Sequence, residues 1–339
     1  MLKRSVFNDT LLAWYHANKR ELPWRQTSDP YKIWLSEVML QQTQVITVIP
    51  YFNKFITKYE TLDALANADE QDLLKDWEGL GYYNRIRNFH HAIKEVQSLY
   101  DSKVPNRPED FFSLKGVGPY IGGAVQSIAF NNQLAAVDGN VLRVMTRLNR
   151  DNRDTTKVSV QKDIKRDIES DMPLEAGDFN QALMELGATI CTPRTPKCVV
   201  CPVQAHCEAY KKGEVMAYPV KKKAKTKKEY YYNVYYILNN KNEILLFKQE
   251  DDLLKGMYEL PRFDVDTSIE SLEEQYQIQL SQPKGPIGEH KHVFTHKVWY
   301  MDGYIIRTTD RHSDFVPLDE VKNLPMSVAM QKMMKFIDE

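Results

Sequence analysis

Leu114-Lys115-Gly116-Val117-Gly118-Pro119-Tyr120 decides how this chain is read, together with Val137-Asp138-Gly139-Asn140 further on. Two glycines flank one apolar residue, and Pro119 then opens a helical run. This is a tight turn between helices whose backbone N–H groups can reach a phosphate. Asp138 sits at the start of the next helical run. A backbone-reading turn and a nearby carboxylate together suggest chemistry on DNA, although either alone is common.

Working outward, the 339 residues suit two domains or three. A hydrophobic content of 42% is ample for a core and excludes a disordered chain. The formal net charge of −1 means that any field attracting DNA must be local. The N-terminal stretch from Met1 to Arg25 is charged and amphipathic, unlike a signal peptide, and no uncharged apolar run is long enough to span a membrane. The expected compartment is the cytoplasm, with association to the nucleoid if the source is bacterial.

Residues 1 to about 213 read as helical. Apolar positions recur with helical spacing at Phe52-Phe55-Ile56, Leu62-Leu65 and Phe179-Ala182-Leu183-Leu186. Asp29-Pro30 is an N-cap with proline at the first helical position, opening a helix over Pro30–Gln44. Gly79 and Gly81 break a helix before Tyr82-Tyr83. Six lysines between Lys221 and Lys228 mark a basic linker over 214–229, either a solvated spacer or a contact for phosphates. Beyond it the pattern changes to β. Tyr230 to Leu238 and Glu243 to Phe247 read as a hairpin about Asn239-Asn240. Val298–Met301 and Gly303–Ile306 read as a second hairpin, and helices fall near 267–280 and 326–337. The expected fold is therefore multidomain: an all-α domain over 1–213 and an α+β domain over 230–339.

On the first of these helices Trp34, Leu35, Val38 and Met39 cover one broad side, with Ile33 and Leu40 beyond, and Glu37 falls among them. A carboxylate with apolar neighbours resists ionisation, and a raised pKa near neutrality suits a general acid. Taken alone, Glu37 could equally reach solvent or pair with an arginine, and Asp138 could be a simple helix cap. As a pair they match the two carboxylates needed to cleave a glycosidic bond, one protonating the leaving group and one stabilising the sugar cation.

The only cysteines are Cys191, Cys198, Cys201 and Cys207, spaced C-x6-C-x2-C-x5-C. Such clustering in a large chain without an export signal indicates a metal centre rather than disulfides. A single C-x-x-C does not favour zinc, and four thiolates can hold a [4Fe–4S] cluster; both remain open on spacing alone. Arg194 and Lys197 in this loop could meet phosphate.

With these motifs in order over residues 24–207, the chain resembles the MutY-type adenine DNA glycosylases of the helix-hairpin-helix superfamily. The resemblance rests on Leu-Ser-Glu37-Val-Met-Leu-Gln-Gln-Thr43-Gln, Gly79-Leu-Gly81-Tyr-Tyr, Leu114 to Tyr120, Val-Asp138-Gly-Asn140, Phe-Asn-Gln181-Ala-Leu-Met-Glu185-Leu-Gly-Ala and the cysteine spacing. It implies a monofunctional base excision repair enzyme acting as a monomer on double-stranded DNA containing A:8-oxoguanine or A:G mispairs. By resemblance Glu37 protonates adenine and activates water, Asp138 stabilises or traps the sugar cation, and Tyr120 and Asn140 support them. Trp24, Arg25 and Glu185 line the pocket for the extruded base, joined by Gln181 on the Glu185 face. Gln42 and Tyr82 enter the duplex and Thr43 lies near the opposite base. Gly116, Val117 and Gly118 bind phosphate, and the cysteines hold [4Fe–4S]. Bifunctional members carry a nucleophilic lysine where this chain has Tyr120, which cannot form a Schiff base.

Residues 230–339 resemble the Nudix-like domain of the same family. Gly256-Met-Tyr-Glu-Leu-Pro261 leads into the expected box, but Arg262 stands where its glutamate would fall, so no pyrophosphatase activity is expected. His292-Val293-Phe294-Thr295-His296 resembles the loop that reads 8-oxoguanine, with Phe294, Thr295 and His296 at its tip. The competing readings are a pyrimidine-damage lyase, which Tyr120 opposes, and a catalytically silent DNA-binding protein, which the intact carboxylates oppose.

Overall fold

The Gly-Val-Gly turn forms a hairpin between two helices in the computed structural model, which describes residues 2–221, 226–250 and 254–338. The described chain divides into two units, Met1–Asn67 with Asn88–Lys223, and Ala68–Arg87 with Ala224–Glu339. Part of the lysine block, 222–225, lies outside the described residues.

The helices, in chain order, are α1 (Leu2–Asn18), α2 (Pro30–Leu40), α3 (Val45–Lys58), α4 (Leu62–Ala66), α5 (Glu70–Asp76), α6 (Asn84–Leu99), α7 (Pro108–Ser113), α8 (Pro119–Phe130), α9 (Gly139–Asn149), α10 (Val158–Glu169), α11 (Ala176–Thr189) and α12 (Glu208–Lys211). In the first unit α2 is central. Asp29 caps it by accepting from Tyr31 N–H at 2.9 Å, and its residues Ile33 to Met39 are all buried. It packs on α8, α8 on α11, and α11 on α9 and α1. The helix stops at Leu40 rather than Gln44, because Gln42 takes a left-handed φ of 58°. The α7–α8 turn depends on Gly116 at φ 77°, a region that favours glycine. Val117 N–H closes the turn on Leu114 O at 3.2 Å.

Close approach of α11 to α9 depends on Gly187. A Cβ there would stand 2.6 Å from Asn140 Cβ, so a larger residue would push apart the helices that carry Glu185 and Asn140.

The second unit is built on strands β1 (Lys228–Leu238), β2 (Glu243–Leu245), β3 (Phe247–Lys248), β4 (Tyr258–Glu259), β5 (Arg262–Asp264), β6 (Lys284–Val293), β7 (Lys297–Arg307) and β8 (Phe315–Pro317), with helices α13 (Ile269–Tyr276) and α14 (Val328–Asp338). The main sheet has the order β6-β7-β1-β2-β8, with β5 also on β1, and β3–β4 form a separate pair. Strands β1 and β7 run parallel. Val234 to Leu238 are buried throughout, as a strand covered on both faces must be. Leu272 and Tyr276 of α13 join Tyr235, Ile237 and Ile306 in one core cluster, while Tyr236 donates its hydroxyl proton to Met333 O of α14.

The expected hairpin within 298–306 is instead the single strand β7. Asp302-Gly303 looks like a turn, but Gly303 faces Gly288 of β6, and a Cβ on it would meet the Tyr236 ring at 2.9 Å. The glycine makes room for an aromatic ring inside the sheet. The true hairpin joins β6 to β7 through Phe294-Thr295-His296, closed by Phe294 N–H on Lys297 O at 2.9 Å. Phe247, expected at the end of the first hairpin, belongs to β3.

Substituting Gly187→Ala is expected to cost about 1–3 kcal/mol of stability through overpacking against Asn140. A denaturant titration with an unchanged midpoint would show that the contact relaxes freely.

Candidate active site

Glu37 points into the interior of the first unit and is only 5% exposed. Tyr120, one residue into α8, donates its hydroxyl proton to Glu37 Oε2 at 2.6 Å and lies 3.6 Å from Met184 Sδ on α11. Burial drives the Glu37 carboxyl up from its ordinary 4.5 to about 7; the Tyr120 hydrogen bond and Arg25 pull against this, and Asp138 reinforces it. The Tyr120 phenol, also buried beside these carboxylates, is pushed well above its usual value and stays protonated.

Asp138 does cap a helix: its Oδ1 accepts from Val141 N–H at 2.7 Å. Its other oxygen accepts from Asn140 Nδ2 at 2.7 Å. Burial raises its pKa, against these hydrogen bonds and the charge of Arg143. The cap and the site are one arrangement, since capping fixes the carboxylate at the wall of a cavity.

That cavity, of about 150 Å³, is lined by Glu37, Tyr120, Asp138, Asn140, Gln181, Glu185, Trp24, Arg25 and Thr43. It is well below the ~300–1,000 Å³ typical of drug-sized pockets, and suits one flat heterocycle. Glu185 is 1% exposed, and burial opposes its ionisation. Two guanidiniums outweigh that: Arg20 Nε donates to Oε1 at 2.7 Å and Nη2 to Oε2 at 2.9 Å, while Arg25 Nη2 donates to Oε2 at 2.8 Å. The carboxyl is thereby held below its usual range. Bidentate pairing of this kind fixes the wall of the cavity as well as its charge. Gln42 is exposed at the end of α2, next to Thr43 but not in the cavity lining.

Arg20, Met184 and Arg143 belong to the site without a local signal in the sequence. Arg20 lies in an irregular segment before α2, where no periodicity marks it. Met184 lies beside Glu185, on a stretch that reads as polar face and apolar stripe without it. Arg143 donates through Nη2 to Asn140 Oδ1 at 2.8 Å and to Gly187 O at 2.7 Å, and through Nε to Cys191 O at 2.7 Å. It joins the support of Asp138 to the cysteine loop.

The four cysteines are half-buried, free of disulfides, and line one apolar cavity with Val144, Leu148, Leu186 and Ile190. Burial pushes the Cys201 thiol up to about 11 and raises Cys198 and Cys207 as well. Arg147, 2% exposed, places Nη1 3.3 Å from Cys191 Sγ. Its other hydrogen bonds include those to the backbone carbonyls Thr192 O at 2.8 Å and Val215 O at 3.0 Å. A buried cation facing sulfur asks for negative charge there, which metal-bound thiolates provide. Among the described residues no three His, Cys, Asp or Glu side chains converge tightly enough for a single metal ion. Four sulfurs around one shared cavity are a donor set that fits an iron–sulfur cluster.

In the second unit, the Tyr82 hydroxyl lies 2.5 Å from Thr295 Oγ1. Tyr82 is 47% exposed at φ 50°, held by a turn with Gly79 at φ 99° and Gly81 at φ 70°. The Arg85 guanidinium lies 5.6 Å from the centre of the Tyr82 ring, and its Nη2 donates to Leu80 O and Gly81 O, each at 3.0 Å. Phe294 packs edge-on against His292 at 4.5 Å, and His296 is exposed at the tip.

Residues 35–170 match the HhH-GPD superfamily of base excision DNA repair proteins, residues 191–207 the iron–sulfur binding domain of endonuclease III, and residues 233–336 the NUDIX domain. The chain is 34% identical over 295 residues to the adenine DNA glycosylase of Buchnera aphidicola subsp. Schizaphis graminum, covering 86% of this chain and 84% of that protein. It belongs to the adenine DNA glycosylase family.

The human adenine DNA glycosylase is 40% identical over 220 residues, but this chain spans only 40% of its length. Among solved structures, a thermostable thymine-DNA glycosylase is similar with a TM-score of 0.56 and 32% identity, covering 62% of this chain and 97% of that one. Endonuclease III in a non-covalent DNA complex shares the fold at a TM-score of 0.53 and 22% identity, covering 62% of this chain and 97% of that one. The matched iron–sulfur segment contains all four cysteines of this adenine DNA glycosylase family member and supports a [4Fe–4S] cofactor. Among the described residues no helix is long and apolar enough to cross a membrane.

Replacing Arg147 with methionine removes the buried cation and keeps most of its bulk. The variant is expected to lose at least about half of its iron and to melt at a lower temperature, since the sulfur charge is then unbalanced. Full iron content and an unchanged melting point would contradict this account of the cluster cavity.

Proposed function

We propose that this chain is a monofunctional adenine DNA glycosylase that removes adenine opposite 8-oxoguanine, and opposite guanine, from duplex DNA. The observation that carries the proposal is the pairing of Glu37 and Asp138 at one small buried cavity, with the Glu37 pKa raised to about 7. A neutral carboxylic acid is thereby available at physiological pH to protonate a leaving base.

In the proposed reaction the base is turned out of the helix into this cavity, whose walls are Trp24, Arg25, Gln181 and Glu185. Glu37 gives its proton to a ring nitrogen of adenine as the N-glycosidic bond breaks and the bonding electrons leave with the base. Ionised Asp138 stabilises the positive sugar or bonds to its C1′. Water then adds at C1′ and returns a proton to the Glu37 carboxylate. Tyr120 holds the Glu37 carboxyl, and Asn140 orients Asp138. Neither residue supplies an amine for a Schiff base, so strand cleavage by β-elimination is not part of the proposed activity. The cysteine-held cluster anchors the loop after α11.

Gly116 and Gly118 contact the DNA phosphates from the α7–α8 turn. Val117 shapes that turn, since its own N–H is bonded to Leu114 O. Gln42 and Tyr82 enter the duplex, with Thr43 near the partner base. The tip Phe294-Thr295-His296 reads that base. Adenine is a normal base, so recognition of damage has to come from its partner. The protein acts as a monomer in this scheme, and the first unit, the basic linker and the Nudix-like domain form its functional parts.

Single-turnover release of adenine from A:8-oxoguanine, A:G and A:C duplexes tests the proposal. Adenine release fastest from A:8-oxoguanine, with no adduct trapped by borohydride, is expected. No release by protein with a full cluster would sink it. The rate should fall as pH rises through about 7, where Glu37 loses its proton, and should also fall in acid as Asp138 is protonated. A rate that is flat from about pH 6 to 9 would remove Glu37 from the acid role.

Glu37→Gln should bind the duplex and release no adenine. It should also be more stable than the parent above pH 7. The folded pKa of Glu37 exceeds the unfolded one, so unfolding releases a proton and stability falls as pH rises from about 4.5 to 7. Above that range glutamine removes a penalty of up to about 3 kcal/mol, and the gain disappears in acid. Equal melting temperatures for the two proteins at about pH 8 would contradict the raised pKa.

A further inference from the structure

Arg262 of β5 is the residue that interrupts the Nudix-like spacing, and its surroundings suggest a use for the change. Its guanidinium carbon lies 4.2 Å from the centre of the Tyr232 ring and 4.1 Å from that of Trp299. Its Nε donates to Glu259 Oε1. Glu259 is 2% exposed and also accepts from Gln249 Nε2 at 2.6 Å, so the cation is anchored at one end and sits against two rings at the other. Tyr232 meets Trp299 edge-on at 5.7 Å. A planar cation held this way is a rigid spacer, because stacking fixes its plane and the carboxylate fixes its position.

Trp299 passes this rigidity on. Fully buried, it packs edge-on against Phe294 at 4.6 Å. Lys297 extends its ammonium over both rings, 4.4 Å from Trp299 and 5.2 Å from Phe294. Phe294 is the first residue of the β6–β7 tip, and Thr295 follows it. The chain of contacts therefore runs from Glu259 through Arg262 and Trp299 to the foot of the tip.

We infer that Arg262 is a positioning residue that holds the Phe294-Thr295-His296 tip and so sets the discrimination between 8-oxoguanine and guanine opposite adenine; this rests on the proposed reading of that tip. Arg262 touches no reacting atom. It acts through Trp299 and Phe294, and it occupies with a cation the position where a hydrolytic Nudix site would need a carboxylate.

The test is the ratio of single-turnover rates on A:8-oxoguanine and A:G duplexes at limiting enzyme, for Arg262→Ala, Arg262→Lys, Thr295→Ala and the Arg262→Ala/Thr295→Ala double variant. Arg262→Ala and Thr295→Ala are each expected to lower the ratio about tenfold, and the double variant no further, because both act through one element. Arg262→Lys keeps a charge for Glu259 but loses the plane, and should lower the ratio about threefold or more; it decides the matter if the alanine variant does not fold. In the Arg262 single variants the rate on A:G at saturating enzyme should stay within about twofold, since the catalytic cavity is untouched. A normal ratio in the Arg262 variants alongside a lowered one in Thr295→Ala overturns the inference and spares the reading of the tip. Additive losses in the double variant also overturn it, by giving Arg262 a separate structural role. A normal ratio in Thr295→Ala overturns the reading of the tip, and the inference with it.

Discussion

The carboxyl of Glu37 is buried where α2 packs on α8, with one hydrogen bond from Tyr120 as its nearest compensation. Most of what distinguishes the first unit follows from tolerating this group. Helix α2 has to be buried on nearly all sides to exclude solvent. Tyr120 has to stay a phenol, which its own burial ensures. Asp138 has to be near enough to raise the Glu37 pKa yet remain ionisable, and the N–H of Val141 with the amide of Asn140 serves that end. The two carboxyls are thus pushed toward different tasks by their surroundings, one toward holding a proton and one toward charge.

Support for this pair extends to the cysteine loop. Arg143 bonds Asn140, Gly187 and Cys191 at once, so the residue that holds Asp138 is tied to the first cysteine of the loop through one buried guanidinium. Arg147, one helical turn on, faces the sulfur of the same cysteine. Two arginines on α9 thereby connect the cavity of Glu37 and Asp138 with the cysteine loop that follows α11. The Glu185 carboxylate, gripped by Arg20 and Arg25, closes the opposite wall.

The sequence is most legible where local chemistry and tertiary structure ask for the same thing. Asp29-Pro30 announces the start of α2, and the apolar surround of Glu37 already implies a raised pKa. Gln181 and Glu185 share a face because helical periodicity requires it, and both line the cavity. Legibility fails where partners are remote. Arg20 finds Glu185 across 165 positions, and nothing beside it in the chain signals the pair. Asp302-Gly303 carries a turn signature, yet the tertiary demand for space beside Tyr236 makes it the middle of β7. The segment around Tyr82 reads as part of the helical region, but it groups with the second unit, where its hydroxyl meets Thr295.

The central claim is that burial keeps the proton on Glu37 up to about pH 7, so that a large share of the group is still carboxylic acid near neutrality. Following the chemical shift of its side-chain carboxyl carbon with pH by NMR, with Glu37→Gln used to assign the signal, measures this directly. A midpoint near 7 is the expected result. A midpoint at the ordinary 4.5 would mean that burial does not hold the proton, and the account of the site would fall.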